Sequence, residues 1–155
     1  MTDTHHATCV ARRGRAALLR GPSGSGKSDL AFRFLETYAD AWLIADDQVI
    51  LSGAGSHVYA SGPNVLKGLL EVRGLGIVSR AVPADAKLFP IALIVDMTPN
   101  QALPRIAEPH FETVNGVDLP VIPLAAFEVS APQKLALALE TIGQGHFPGD
   151  DGRMS

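Results

Sequence analysis

Residues 21 to 28 read Gly-Pro-Ser-Gly-Ser-Gly-Lys-Ser, which satisfies Gly-x-x-x-x-Gly-Lys-[Ser/Thr] at every required position. No other feature limits the fold as tightly, because this pattern functions only where a strand delivers the chain into the loop and a helix carries it away. Both flanks fit. Ala16-Ala17-Leu18-Leu19-Arg20 is a short apolar run of strand type, and the spacing of Leu30, Ala31, Phe34 and Leu35 predicts a helix from Lys27 to about Tyr38 with one apolar face. In such a loop Gly21, Gly24 and Gly26 let backbone N–H groups converge on phosphate oxygens, with Pro22, Ser23 and Ser25 between them, and the helix N-terminus adds partial positive charge. Lys27 is expected to reach the β- and γ-phosphates of a nucleotide and Ser28 to ligate Mg²⁺ through its hydroxyl. The plain alternative is a glycine-rich turn that meets anions only by accident.

A Mg²⁺-nucleotide site also calls for a carboxylate at the end of a nearby strand. Ala41-Trp42-Leu43-Ile44-Ala45 reads as a buried strand of the same sheet, and it ends in Asp46-Asp47. Successive side chains of an extended chain point to opposite faces, so only one of the two can face the phosphates unless the backbone bends there. A solvated acidic turn is the competing reading. A third constellation is Glu71-Val72-Arg73-Gly74-Leu75-Gly76-Ile77. Its glycines suggest close backbone approach to a ligand or partner, although a strand ending in a turn would give the same pattern.

The remaining chain reads as short strands and turns around this centre. Thr8–Arg12 and Ala16–Arg20 are expected to form a hairpin with Gly14 in the turn. Gln48–Leu51, His57–Ala60 and the stretch from Phe89 to Met97 read as extended, and residues 99–109 as loop. Asn115-Gly116 between Phe111–Val114 and Val117–Leu119 predicts a type I′ hairpin. A final helix is expected from Pro132 to about Gly143, with Leu135, Leu139 and Ile142 on one face. At 155 residues the chain suits one domain, placed at 1–145 with a flexible tail at 146–155.

Composition narrows the partners. A formal net charge of −3 with 19% charged residues is not that of a general nucleic-acid binder. No apolar run approaches bilayer length and no signal peptide opens the sequence, so no membrane association is expected. The single cysteine, Cys9, reads as a small buried hydrophobe in a reducing, cytoplasmic setting.

Taken in order, these pieces resemble the catalytic domain of the HPr kinase/phosphorylase family, enzymes that act on a regulatory serine of the phosphocarrier HPr. The family pattern is a histidine ahead of G-x-S-G-x-G-K-S-[ED], then Ala-Asp-Asp after the next strand, then E-[IV]-R-G-L-G-I. Here these are His6, Gly21 to Asp29, Ala45-Asp46-Asp47 and Glu71 to Ile77. The resemblance implies an α/β fold of the phosphoenolpyruvate carboxykinase type, a mixed sheet flanked by helices. It implies a short form without the N-terminal domain common in the family.

The same resemblance implies an ATP- and Mg²⁺-dependent protein serine kinase working on HPr or an HPr-like carrier of the phosphotransferase system, assembled as a homo-oligomer, a hexamer in the family. Lys27 is similar to the phosphate-binding lysine and Ser28 and Glu71 to the metal-site residues, with Asp46 at its strand end the further metal-ligand candidate. Asp47 takes the place of the general base with His6 supporting it, and Arg105 the place of a downstream arginine that meets the transferring phosphate or the protein substrate. Arg73, Gly74 and Gly76 fall on the protein-substrate side. Phosphorylase activity, with inorganic phosphate or pyrophosphate in the reverse reaction, is left open. The family's proline-, glycine- and arginine-rich segment is not recognisable here, and residues 123–134, including Gln133 and Lys134, stand in its region. A P-loop kinase for a small molecule and a non-catalytic ATP sensor are the rival readings.

Overall fold

A computed structural model describes residues 2–63, 68–80, 89–106 and 108–147. Its organising element is a long first strand, β1 (Thr2–Arg12), which turns tightly at Arg13-Gly14 into β2 (Arg15–Arg20). Arg13 and Gly14 both take positive φ, 52° and 80°, so a two-residue turn joins strands paired from Arg12–Arg15 back to Ala7–Arg20. β2 runs into the glycine loop, and α1 (Lys27–Thr37) leaves it. β3 (Ala41–Ala45) and β4 (Gln48–Ala54) then occupy the other edge of β1 one after the other: β3 pairs with Cys9–Arg12 and β4 with Thr2–His6.

Thr2–His6 is strand where the sequence reading began the strand at Thr8. Polar side chains hide it, because what holds this segment is backbone pairing to β4 and not an apolar face. β5 (His57–Ser61) pairs with β4, and β8 (Ile91–Met97) lies parallel to β2. β10 (Val117–Leu124) lies parallel to β8 and carries β9 (Phe111–Val114) antiparallel on its far side. The strand order is therefore β5-β4-β1-β2-β8-β10-β9, with β3 beside β1. β6 (Leu69–Val72) and β7 (Gly76–Ser79) form a separate two-stranded hairpin. The Asn115-Gly116 turn has φ 48° and 81°, as expected of type I′.

The mixed sheet buries its two faces differently. α1 and α2 (Ala131–Glu140) both pack on one face, where Leu19, Leu30, Phe34, Leu93, Val95, Leu135 and Leu139 form one core. On the other face the sheet curls, so that β5 crosses over β3 and β8 and encloses Cys9, Leu18, Ile44, Leu51, Val58 and Ile94. Cys9 sits there fully buried, its thiol pKa pushed up to about 12 by desolvation, and it acts as a small hydrophobe. Arg12 ties hairpin and helices together: it pairs with Asp40 at 2.7 Å and Glu140 at 3.2 Å, with its guanidinium 4.1 Å from the centroid of the Tyr38 ring. Packing continues past Gly145, where the sequence reading began the tail. Phe147 is buried and meets the Phe111 ring edge-on at 5.6 Å, while residues 148–155 lie outside the described part.

Phe34 is fully buried between α1 and the sheet and touches Tyr38. Phe34→Ala is expected to lower stability by about 3–5 kcal/mol, read as a shift in urea midpoint at unchanged slope.

Candidate functional site

Side-chain alternation along β1 puts His6, Thr8 and Val10 on the helix-bearing face and Ala7, Cys9 and Ala11 on the other. His6 and Thr8 are thereby aimed toward the start of α1. Regular alternation along β3 would then turn Asp46 away from α1, since Leu43 belongs to the helix-side core. Instead the β1–β3 register slips, with Val10 opposite Leu43 but Cys9 opposite Ala45, and both Ile44 and Ala45 turn into the second core. This bulge re-aims the next residue. Asp46 Oδ1 accepts hydrogen bonds from Ser28 Oγ at 2.7 Å and Thr8 Oγ1 at 2.8 Å, and its side chain is buried.

The next residue breaks the strand altogether. Asp47 has φ 67°, and Gln48 N donates to Asp46 O at 2.7 Å, which makes Asp47 the centre of a γ-turn of the strained, positive-φ kind. Ala7 N donates to Asp47 O at 3.2 Å and pins the turn to β1. The Asp47 side chain, exposed, meets His6 Nε2 through Oδ1 at 2.7 Å. Both carboxylates thus serve one site, by two distortions that the sequence does not announce.

Across from them lies the glycine loop. Gly26 has φ 98°, and a Cβ there would stand 2.6 Å from Ala126 Cβ; a Cβ on Gly21 would stand 2.6 Å from Ser25 Oγ. Gly26 needs glycine for space as well as conformation, whereas the nearest obstacle at Gly21 is a hydroxyl that can turn away. Lys27, buried, turns its Nζ back onto Gly21 O at 2.6 Å and Pro22 O at 3.1 Å, so the loop's own carbonyls hold the cation. Entry to the loop is braced from behind: Arg20 grips Asp96 through Nε at 2.9 Å and Nη2 at 3.2 Å and reaches Glu112 at 2.6 Å. Those contacts, the Asp96 hydrogen bonds foremost, raise the guanidinium pKa above the usual arginine value.

A cleft of about 450 Å³ joins these parts; His6, Lys27, Ser28, Asp47, Glu71 and Arg73 all border it. Glu71 and Arg73 arrive from the β6–β7 hairpin, whose turn is closed by Leu75 N donating to Val72 O at 3.0 Å. Gly74 and Gly76 have φ 90° and 122°, and a Cβ on either would meet nothing within 4 Å. In the chain itself their glycine identity therefore follows from the turn conformation. Arg105 is exposed in the loop after β8 and does not border the cleft. Lys134 is paired with Glu128 at 2.8 Å on α2 and does not border it either.

Three contributors escaped the sequence reading. Thr8 shares Asp46 with Ser28, and its signal was only its place two residues after His6 on a strand. Phe127 borders the cleft from the β10–α2 connection. Arg33 on α1 donates to the carbonyls of Ala126 and, at 3.1 Å, Glu128, fixing the backbone on both sides of Phe127.

Fold and site together define a mixed α/β domain built around a strand–glycine loop–helix junction that faces a carboxylate pair. The sequence matches the model of the HPr Serine kinase C-terminal domain over residues 1–126, and the chain belongs to that family. A protein named HPr kinase/phosphorylase from Chlorobium phaeovibrioides is 30% identical over 133 residues, which are 79% of this chain and 40% of that protein. One of the same name from Limosilactobacillus reuteri is 28% identical over 154 residues, covering 91% of this chain and 45% of its relative. The chain spans less than half the length of these curated relatives. The solved Hpr(Ser) kinase/phosphatase from Coxiella burnetii shares the fold, with a TM-score of 0.73 over 89% of this chain and 88% of that one at 21% identity.

The left-handed turn at Asp47 predicts an order of stabilities. Asp47→Gly and Asp47→Ala both remove the contact with His6, but only alanine bears the strain of positive φ, so the glycine variant should be more stable by about 1–2 kcal/mol. Equal denaturation midpoints would mean that the turn is not maintained.

Proposed function

We propose that this domain is the catalytic domain of an ATP- and Mg²⁺-dependent protein serine kinase, acting in the cytoplasm on HPr or an HPr-like phosphocarrier. The observation that carries the reading is the Asp47 carboxylate, paired with His6 and opening onto the same cleft as Lys27, Ser28 and Glu71. A general base must sit within hydrogen-bond reach of the hydroxyl it deprotonates, and an exposed carboxylate on a fixed turn can meet that requirement.

The donor set suits a magnesium nucleotide. Mg²⁺ takes one or two side-chain oxygens and keeps its other positions for water and phosphate. Ser28 Oγ and Asp46 Oδ1, 2.7 Å apart, supply such a pair, and Glu71 borders the same cleft as Ser28. Ser28, Asp46 and Glu71 would hold such an ion, whose positive charge would offset that of the phosphates. Lys27 would exchange the carbonyls of Gly21 and Pro22 for phosphate oxygens while remaining buried. Asp47 would accept the seryl proton as the acceptor oxygen attacks, and His6 would hold that carboxylate in its rotamer. In the phosphorylase direction, inorganic phosphate would attack the phosphoserine phosphorus as the bond to the seryl oxygen breaks, Asp47 would pass the proton of the attacking phosphate to that oxygen, and pyrophosphate would leave.

A protein substrate fits the cleft's rim better than an enclosed metabolite would. Leu75 and Ile77, 80% and 70% exposed, project from the β6–β7 hairpin, Ile77 paired with Glu71 and Leu75 in the same turn as Arg73. Exposed apolar side chains beside an active cleft are suited to a macromolecular partner. Arg73, Gly74 and Gly76 belong to that rim in this reading, and Arg105 would join only through movement of its loop or through a second subunit of a homo-oligomer.

Transfer of labelled γ-phosphate from ATP to HPr, and to HPr with its target serine replaced by alanine, tests the proposal. Serine-dependent labelling is expected. Asp47→Asn should reduce it by about 100-fold or more with Mg²⁺-ATP affinity nearly unchanged. Binding of ATP without labelling would instead favour a sensor or a different acceptor, and equal loss of both functions in Asp47→Asn would make Asp47 a metal ligand or structural residue.

A further inference from the structure

The glycine loop has a second side. β2, β8 and β10 are mutually parallel neighbours, and their C-terminal ends, at Arg20, Met97 and Leu124, lie together. In open α/β sheets, ligands gather outside the carboxyl ends of parallel strands. Here the chain leaving those three ends encloses a second cleft of about 630 Å³, with the glycine loop as one wall. Its other walls come from Met97 to Gln101 after β8 and from Ala125 to Glu128 after β10.

The chemistry of the two clefts differs. The first collects Asp29, Asp47 and Glu71 with Lys27 and His6, charged groups suited to phosphate, metal and proton transfer. The second presents Met97, Ala125, Ala126 and Phe127 with the neutral polar groups of Thr98, Asn100 and Gln101. Its one carboxylate, on Glu128, is already engaged by Lys134 at 2.8 Å. An apolar space with a few uncharged donors and acceptors is what a nucleobase and ribose require, and no cationic side chain stands among the described residues that line it.

We infer that this second cleft is the nucleoside subsite, with the Phe127 ring as the face on which the base stacks. The inference rests on the reading of the glycine loop as a nucleotide-phosphate site. Phe127 borders both clefts and is 71% exposed, so its ring is available at the junction where a nucleotide would pass from phosphate to sugar. Its backbone is held by the Arg33 bonds to Ala126 O and Glu128 O, and its ring is limited on one side by Gly26, where a Cβ would stand 3.0 Å from Cζ. The ring is therefore placed by anchored neighbours while its free face remains open. This gives Gly26 a second reason to lack a side chain.

Calorimetric titration of the protein with Mg²⁺-ATP and, separately, with Mg²⁺-tripolyphosphate tests the assignment. The wild type should bind ATP more tightly than tripolyphosphate. Phe127→Ala should weaken ATP binding about ten-fold, within the range for loss of one base–aromatic stack, and leave tripolyphosphate binding unchanged, whereas Phe127→Tyr should retain both. Equal weakening of the two ligands would show that Phe127 shapes the phosphate loop and would overturn the subsite, as would no change in either. A wild type that binds tripolyphosphate as well as ATP would overturn the subsite and leave the phosphate site standing. A wild type that binds neither would remove the nucleotide reading itself.

Discussion

Two neighbouring carboxylates cannot both face one way from a regular strand, and the arrangement of this site depends on how the chain escapes that rule. β1 offers a single edge to two strands in succession, β3 and then β4. Between them the chain must end one ladder and begin another in the space of Asp46 and Asp47. The register slip near Ile44 turns Asp46 toward α1, and the γ-turn then swings Asp47 toward His6. Neither distortion persists without support. Thr8 and Ser28 hold the first carboxylate, and Ala7 N and His6 hold the turn and its side chain. Strain of this kind, of order 1–3 kcal/mol, survives only where surrounding contacts over-determine it. Here the surroundings are one strand and the N-terminus of one helix.

The same strand explains how the second face of the sheet is covered by strands among the described residues. With β4 and β5 hung on the N-terminal half of β1, the sheet has enough length beyond the centre to curl back over β3 and β8. Both α-helices among the described residues are then free to pack on the side where the glycine loop emerges. That asymmetry concentrates the loop, the helix N-terminus and the even-numbered β1 side chains on one face, while Arg20, Asp96 and Glu112 brace the loop's entry strand from the other.

What could be read from residues alone divides along a physical line. The strand–loop–helix junction was legible because its periodicities and its glycines are local properties, and so was the type I′ turn at Asn115-Gly116. Asp46 and Asp47 could be set beside Lys27 and Ser28 from their place at a strand end, but His6 and Glu71 could be added only through family resemblance, since no local pattern brings residues 6, 47 and 71 together. The strand Thr2–His6 was missed because edge pairing between backbones leaves no apolar signature. The bulge and the γ-turn were missed for a related reason: Ala-Asp-Asp contains no glycine to mark a positive φ, and the strain is offset by tertiary contacts that lie far away in sequence. Phe127 and Arg33 gave no signal either, because an aromatic in a loop and an arginine on a helix are ordinary until the fold sets them against each other.

The glycine loop acts as a partition as well as a cradle. On its β1 side stand charged groups, among them Lys27, Asp47 and Glu71; on its β8–β10 side stand apolar and neutral polar ones, with Glu128 held by Lys134. A ligand lying across such a partition must be charged at one end and flat and neutral at the other, which is the general form of a nucleoside polyphosphate. The partition also separates two kinds of mutational effect. In the proposed reading, changes among His6, Asp47 and Glu71 would alter what happens to the terminal phosphate, while changes around Phe127 would alter how firmly the other end is retained. Gly26 lies at the meeting point, where a side chain would strike Ala126 and the Phe127 ring at once. The absence of a single Cβ there lets the loop approach the β10–α2 connection closely enough for one ligand to touch both clefts.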